Sequence, residues 1–131
     1  LAQVIDKEAA RAGLIMDILI EVNVAEEESK FGISCDEAGD LVRECAKLHN
    51  IHVCGLMTIA PFVENCEENR QYFKKKLKKL CVDLKAKNID NTDMDVLSMG
   101  MTGDYQVAIE EGATMVRVGT GIFGARNYNV Q

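Results

Sequence analysis

The chain has 131 residues, of which 47% are hydrophobic and 27% charged, a composition typical of a globular domain and unlike that of a disordered or fibrous chain. Its formal net charge of −6 argues against a nucleic-acid partner, because the phosphates of nucleic acids need a basic surface. A small anionic ligand remains compatible with this charge, since backbone N–H groups bind phosphate whatever the net charge. The apolar stretches are too short to cross a membrane, so we expect no membrane partner.

The hydrophobic pattern predicts helices and strands that alternate along the chain. Apolar residues at helical spacing, closed by Gly13, indicate a first helix, and the mostly apolar, β-branched segment after it indicates a buried strand. The predicted order is helix 1–12, strand 15–24, helix 35–49, strand 51–59, helix 67–87, strand 94–98, helix 104–111 and strand 115–119, with a further short helix beginning within 121–128.

This alternation predicts an α/β fold with a parallel sheet and right-handed crossovers. Four βα units are half of an eight-fold barrel, which takes about 250 residues. We therefore expect a parallel (β/α) half-barrel, the second half of a TIM-type barrel, as a single partial domain over residues 1–131. Such barrels place their chemistry in the loops after the strands and often bind phosphate after strands 7 and 8, which correspond here to the third and fourth strands.

The cysteines and histidines predict neither a disulfide framework nor a metal site. The five cysteines are odd in number and widely spread, which fits a reducing compartment, so we expect a cytoplasmic protein. His49 and His52 lie near Cys54, but no fourth ligand clusters with them in the sequence. We interpret them as ordinary polar residues near a helix end.

The loop after the third predicted strand is the first candidate for phosphate binding. Ser98, Gly100 and Thr102 combine two hydroxyls with a glycine that permits close approach to the backbone, just before a predicted helix. Two interpretations are open, because Thr102 could instead cap that helix while the glycines make the turn.

The loop after the fourth strand is the second candidate. Gly119, Gly121 and Gly124 spell the G-x-G-x-x-G pattern of dinucleotide-binding folds, but that pattern must open a βαβ unit and needs an acidic residue about 20 positions later. Only seven residues follow Gly124. We therefore interpret Gly119 and Thr120 as a small phosphate cradle at the end of the sheet.

Polar residues on the strands themselves add to the predicted site. Arg117 shares a strand face with Gly119 and should point into the barrel just below the cradle, where a charge needs a ligand or a salt bridge, for which Glu21 is the candidate. Asn23 lies near the end of the first strand, where barrel sites are built. Met57 lies near the end of the second strand and could pack on the flat ring of a ligand or simply on the hydrophobic core.

Three longer motifs carry a resemblance to a known family. The segments 97–102, 112–120 and 122–126 resemble the pyridoxal-phosphate homeostasis protein family, small proteins with an alanine-racemase-type barrel, and the match extends over essentially the whole chain. The resemblance implies that Thr102 receives the phosphate of pyridoxal 5′-phosphate (PLP), that Gly119 and Thr120 form its backbone cradle, and that Arg117 faces the pyridine nitrogen. It also implies a role in vitamin B6 homeostasis without demonstrated turnover.

The chain departs from the family pattern in one respect. The family's Schiff-base lysine lies in the first half of the barrel, and none of the ten lysines here lies at the matching motif, so we expect PLP to bind weakly or not at all and without covalent attachment. Two alternatives stay open: a fragment of an alanine-racemase-like enzyme, and a half-barrel that serves only in assembly. The open edges of a half-barrel predict a homo-oligomer.

Overall fold

The computed structural model describes residues 1–129, and its helices and strands follow the predicted order. The elements are α1 (Ala2–Ala12), β1 (Met16–Glu21), α2 (Cys35–Ala46), β2 (Ile51–Met57), a 3₁₀ turn (Cys66–Asn69), a π-helix (Tyr72–Lys78), α3 (Lys79–Ala86), β3 (Thr92–Met101), α4 (Tyr105–Glu110), β4 (Met115–Arg117) and α5 (Thr120–Phe123).

The four strands form one parallel sheet in the order β1-β2-β3-β4. Buried side chains of α2, the π-helix, α3 and α4 belong to a single hydrophobic cluster with alternate residues of the strands. The helices therefore cover one side of the sheet, which confirms the predicted half-barrel. In the part of the chain that the structure describes, no helix is long and apolar enough to cross a membrane.

The two faces of the sheet are distinguished by the alternation of burial along each strand. In β2, Ile51 and Val53 are fully buried against the helices, whereas His52 and Cys54, which alternate with them, are only partly buried. The second face is the one that a closed barrel would enclose, and we call it the inner face. Its polar residues lie at both ends of the strands.

The predicted helix 67–87 is in fact three helical segments of different pitch. Its buried apolar residues are Phe73, Leu77, Cys81 and Leu84, so the first two steps between them are four residues each. A spacing of four exceeds the 3.6 residues of an α-helical turn, and the wider π turns keep Phe73 and Leu77 on one buried face. Strand β3 extends beyond the predicted 94–98 at both ends, and β1, β2 and β4 stop earlier than predicted.

Candidate functional site

The loops after β3 and β4 meet at the carboxyl edge of the sheet, through the side chain of Thr102. The Thr102 hydroxyl oxygen accepts a hydrogen bond from the Gly121 N–H at 3.1 Å and lies 3.2 Å from the Thr120 hydroxyl. A Cβ on Gly121 would stand 2.9 Å from the Thr102 methyl group, so only glycine permits this approach. The two hydroxyls therefore lie side by side.

Thr102 does not cap the helix that follows it, which was the other interpretation of this residue. The N-cap of α4 is Asp104, whose carbonyl accepts from the Ala108 N–H at 3.1 Å. The Thr102 hydroxyl instead accepts a hydrogen bond from the N–H of Gly121 in α5. The N–H groups of Gly119 and Thr120 have no hydrogen-bond partner among residues 1–129, so they remain available as donors beside the two hydroxyls.

Arg117 extends across the sheet at the same edge. Its guanidinium donates to the Ser98 hydroxyl and, at 2.8 Å, to the backbone carbonyl of Thr58. Burial lowers the pKa of Arg117 from its ordinary value, and the carboxylates of Glu21 and Asp104 oppose that shift only from a distance. Among the described residues no carboxylate forms an ion pair with Arg117, so the structural salt bridge with Glu21 is not formed.

A cavity of about 820 Å³ opens over this edge of the sheet. Four of the predicted site residues line it, together with the chain from Ile59 to Val63 after β2 and residues of the C-terminal segment. The four are Gly100, Thr102, Gly119 and Thr120. Lys30, from the loop after β1, also lines the cavity.

The other predicted residues lie next to the cavity or are engaged elsewhere. Ser98 is buried beside Arg117, and Met57 is the register partner of Ser98 on β2, so both lie on the sheet just before its edge. Asn23 closes its own loop instead: its amide donates to the Glu27 carbonyl at 2.7 Å, and its side-chain oxygen accepts from the Glu27 N–H at 3.3 Å.

The sequence reasoning missed Asn69, which braces the β3 loop from the 3₁₀ turn. Asn69 is 1% exposed and donates to the Pro61 carbonyl at 3.0 Å and to Asp104 Oδ2 at 2.9 Å. Asp104 Oδ1 in turn accepts from the Met101 N–H at 2.8 Å, across the turn that carries Thr102. No sequence signal marks Asn69, because it stands in a polar run at the start of a predicted helix.

Asn69 also lines the cavity, and its side-chain oxygen is left without a partner. Both acceptors face its amide nitrogen, which fixes the orientation of the amide and turns Oδ1 away from them. This buried Oδ1 has no hydrogen-bond donor among the described residues. A buried acceptor of this kind is satisfied by water or by a ligand that carries a donor.

The fold and the loops together define the class of this protein. It is half of a (β/α) barrel, with four parallel strands and helices on one side. Its candidate anion site lies at the carboxyl edge, where hydroxyls, an arginine and N–H groups unpaired within residues 1–129 come together. The family model for the alanine racemase N-terminal domain matches residues 1–127. The chain therefore belongs to the alanine racemase N-terminal domain family.

The curated relatives within this family are named pyridoxal phosphate homeostasis proteins. That of Aquifex aeolicus is 46% identical over 128 residues, which are 98% of this chain and 55% of the relative. That of Haemophilus influenzae is 43% identical over 114 residues, which are 87% of this chain and 47% of the relative. The resemblance found in the sequence is thus confirmed. The chain spans about half the length of the curated relatives it matches.

Solved structures give the same result for the fold. An unknown protein from Bifidobacterium adolescentis is 39% identical, with a TM-score of 0.85 over 93% of this chain and 48% of the other. PipY of Synechococcus elongatus, solved with PLP bound, is 26% identical, with a TM-score of 0.80 over 94% of this chain and 56% of PipY. An alanine racemase from Clostridium difficile, 17% identical with a TM-score of 0.72 over 98% of this chain and 34% of the racemase, shares the fold.

Proposed function

We propose that this chain carries the phosphate and ring-nitrogen half of a PLP site of the vitamin B6 homeostasis type. The observation that carries the proposal is the meeting of the β3 and β4 loops. Two hydroxyls, and two N–H groups that have no partner among residues 1–129, belong there to residues that line one cavity. The PLP-bound state of PipY and the names of the curated relatives support the same ligand.

The donor set fits the phosphate of PLP. A phosphate dianion accepts several hydrogen bonds, and Thr102 and Thr120 supply hydroxyls while the backbone of Gly119 and Thr120 supplies N–H groups. Gly119 has open space where a Cβ would stand, so the backbone can be approached closely. The net charge of −6 does not oppose this binding, because the donors are local.

Arg117 suits the pyridine nitrogen of PLP, at the end of the ring away from the phosphate. PLP supplies an electron-accepting ring whose strength depends on the group beside its nitrogen, and a guanidinium leaves that nitrogen largely unprotonated where a carboxylate would protonate it. Arg117 already uses two neutral acceptors, Ser98 and Thr58, and has no carboxylate in ion-pair contact among the described residues. Such a site favours holding the cofactor over broad amino-acid chemistry.

Titration with PLP tests the phosphate half of the site. Thr102→Val removes one hydroxyl and keeps the shape of the side chain, so the affinity should fall roughly 10- to 100-fold, the effect of losing a hydrogen bond to a charged group. Thr92→Val is the matched control, because Thr92 begins β3 at the opposite end and its hydroxyl donates to the Ile89 carbonyl. Equal affinity of wild type and Thr102→Val would contradict the proposal.

Lys30 is the residue that would favour the enzymatic alternative, since it lines the cavity. We propose that PLP binds here without a covalent bond, because the lysine at the family's Schiff-base motif is not among the ten in this chain. Borohydride reduction of the PLP-loaded chain followed by mass spectrometry should therefore find no stoichiometric pyridoxyl-lysine. A fully modified Lys30 would instead support a racemase-like enzyme.

A further inference from the structure

A second polar cluster lies on the inner face at the opposite end of the strands from the PLP cavity. Asp17 near the start of β1 and His52 and Cys54 of β2 point toward one another. His52 Nδ1 lies 3.3 Å from Asp17 Oδ1 and 3.4 Å from Cys54 Sγ. All three donor atoms lie within 4.8 Å of one another.

The two separations that involve His52 match those of ligands around one tetrahedral ion. Zinc binds thiolate sulfur at about 2.3 Å and imidazole nitrogen or carboxylate oxygen at about 2.0–2.2 Å, so neighbouring ligands stand roughly 3.3–3.7 Å apart. The two contacts made by His52 already have that length. Parallel pairing places Asp17 beside His52, with the two Cα atoms in register, so the backbone itself sets the arrangement.

The second nitrogen of His52 is oriented by another carboxylate. His52 Nε2 lies 3.2 Å from Asp93 Oδ2, next to the start of β3. An Nε2–H that donates to Asp93 leaves Nδ1 as a lone pair directed at Asp17 and Cys54. A lone pair that faces a carboxylate oxygen needs a proton or a cation between them. Metal-bound histidines commonly donate their other N–H to a carboxylate in this manner.

We propose that Asp17, His52 and Cys54 form a binding site for one divalent zinc ion, with Asp93 as the carboxylate that orients His52. Soft sulfur and imidazole ligands beside one carboxylate select zinc over magnesium or calcium, which prefer all-oxygen sites. Three protein ligands leave the fourth tetrahedral position for water or for a ligand from another segment or molecule.

The surroundings of the cluster favour a cation. Asp93 and Asp95 stand nearby, and of these Asp95 is paired with Lys85 at 2.6 Å while Asp93 faces His52. The side chains of Asp17 and Asp93 are 74% and 59% exposed, so an ion can reach the site from solvent. Binding ties the first three strands together at the end where the PLP cavity does not reach.

A nucleophilic cysteine is the competing function for the same side chains. Cys54, His52 and Asp93 follow the order of a nucleophile, a base and an orienting carboxylate. However, the Asp17 carboxylate lies within 4.8 Å of both the Cys54 sulfur and the His52 nitrogen, and its negative charge disfavours a free thiolate at that position. A metal ion bound by all three groups would remove this repulsion and displace the thiol proton.

Cobalt(II) substitution on the reduced 131-residue chain tests the proposal, because the sulfur-to-cobalt charge-transfer band in the near ultraviolet reports a thiolate ligand. We expect the band to saturate at one cobalt per chain and to disappear when zinc is added. Cys54→Ser should abolish the band, and His52→Gln should weaken or abolish binding. Asp93→Asn should weaken zinc binding roughly 10- to 100-fold, the usual effect of an orienting partner.

Matched controls keep the result specific to this cluster. His49→Gln and Cys66→Ser remove the other histidine and a cysteine of similar exposure, and both should bind cobalt as the wild type does. Circular dichroism checks that each variant is folded, and the exposed Asp17→Asn provides a variant with little risk of misfolding. The proposal is overturned if no band forms or if the band survives in Cys54→Ser. It is also overturned if metal binding does not saturate, because a proton rather than a metal ion would then lie between His52 and Asp17.

Discussion

Asn69→Leu tests whether the site is braced from outside the two loops that form it. The replacement keeps the number and branching of the side-chain heavy atoms and removes the amide that donates to the Pro61 carbonyl and to Asp104 Oδ2. Asp104 then loses the partner that holds its carboxylate toward the Met101 N–H. The turn that carries Thr102 should loosen, and the affinity for PLP should fall although the substitution leaves the loop's own donors in place.

The magnitude follows from the two hydrogen bonds and from the unpaired oxygen. A bond to a charged group contributes about 1.5–3 kcal/mol and a neutral one about 0.5–1.5 kcal/mol, so losing both costs about 2–4.5 kcal/mol. The substitution also removes the buried and unpaired Oδ1 of Asn69, which relieves a desolvation penalty of about 1–3 kcal/mol. We expect a net destabilisation of about 1–2 kcal/mol.

A double-mutant cycle with Asp104→Ala isolates the bond between Asn69 and Asp104. Urea unfolding of the four proteins at one protein concentration should give a coupling energy of about 1.5–3 kcal/mol. Pairing Asn69→Leu with Thr92→Val provides the control, because Thr92 lies at the far end of β3 from the brace and the pair should be additive within about 0.5 kcal/mol. A coupling energy below about 0.5 kcal/mol, or an unchanged PLP affinity, would refute the brace.

Two further predictions concern the thiols and the open edges of the sheet. Burial is the largest cause of the raised pKa of Cys45 and Cys81. The free energy of unfolding should therefore stay constant below about pH 8.5, the pKa of an unfolded cysteine, and fall as the pH rises above it. Urea unfolding at about pH 7 and about pH 9.5 checks this, and replacement of both cysteines with alanine should make the fall smaller. In the described part of the chain, β1 and β4 are the two edges of the sheet, and Met16 and Met115 are exposed there, so we expect two copies to associate. Light scattering that shows a well-folded monomer of 14.5 kDa would contradict this expectation.

The fold could be predicted because its signals are local. Apolar β-branched segments that alternate with amphipathic helices determine the order of elements, and the right-handed crossover rule then arranges the strands. The type of helix could not be predicted over 67–87, because apolar residues four apart, such as Phe73 and Leu77, are also typical of an α-helix. The strand ends shifted by a few residues, as at β4, because pairing partners rather than side chains decide where a ladder stops.

Consecutive residues predict only the part of the candidate site that lies in single loops, because the rest depends on how neighbouring strands pair. Thr102, Gly119 and Thr120 stand in loops directly after strands, and the cavity includes all three. Asn69 acts from a separate turn, and Asp17 meets His52 only through the pairing of β1 with β2. Spacing along the chain places no further carboxylate ligand beside His52, because Asp17 and Asp93 come from the two neighbouring strands.

Substitution of Arg117 tests whether its charge serves the framework of the protein or the binding of a ligand. Its guanidinium is half-buried against neutral acceptors, and burial lowers its pKa, so the protein alone gives the charge little compensation. Arg117→Gln loses the guanidinium hydrogen bonds to Ser98 and Thr58 but also relieves the cost of a half-buried charge. Because these two effects oppose each other, we expect the free energy of unfolding to change by less than about 1 kcal/mol while the affinity for PLP falls. Arg43→Gln, which removes an exposed arginine paired with Asp40, is the control and should alter neither. If Arg117 instead formed a buried ion pair, the substitution would destabilise the protein by about 3–5 kcal/mol and leave the PLP affinity of the folded protein unchanged. Those two results would assign Arg117 to the framework of the protein rather than to the cofactor site.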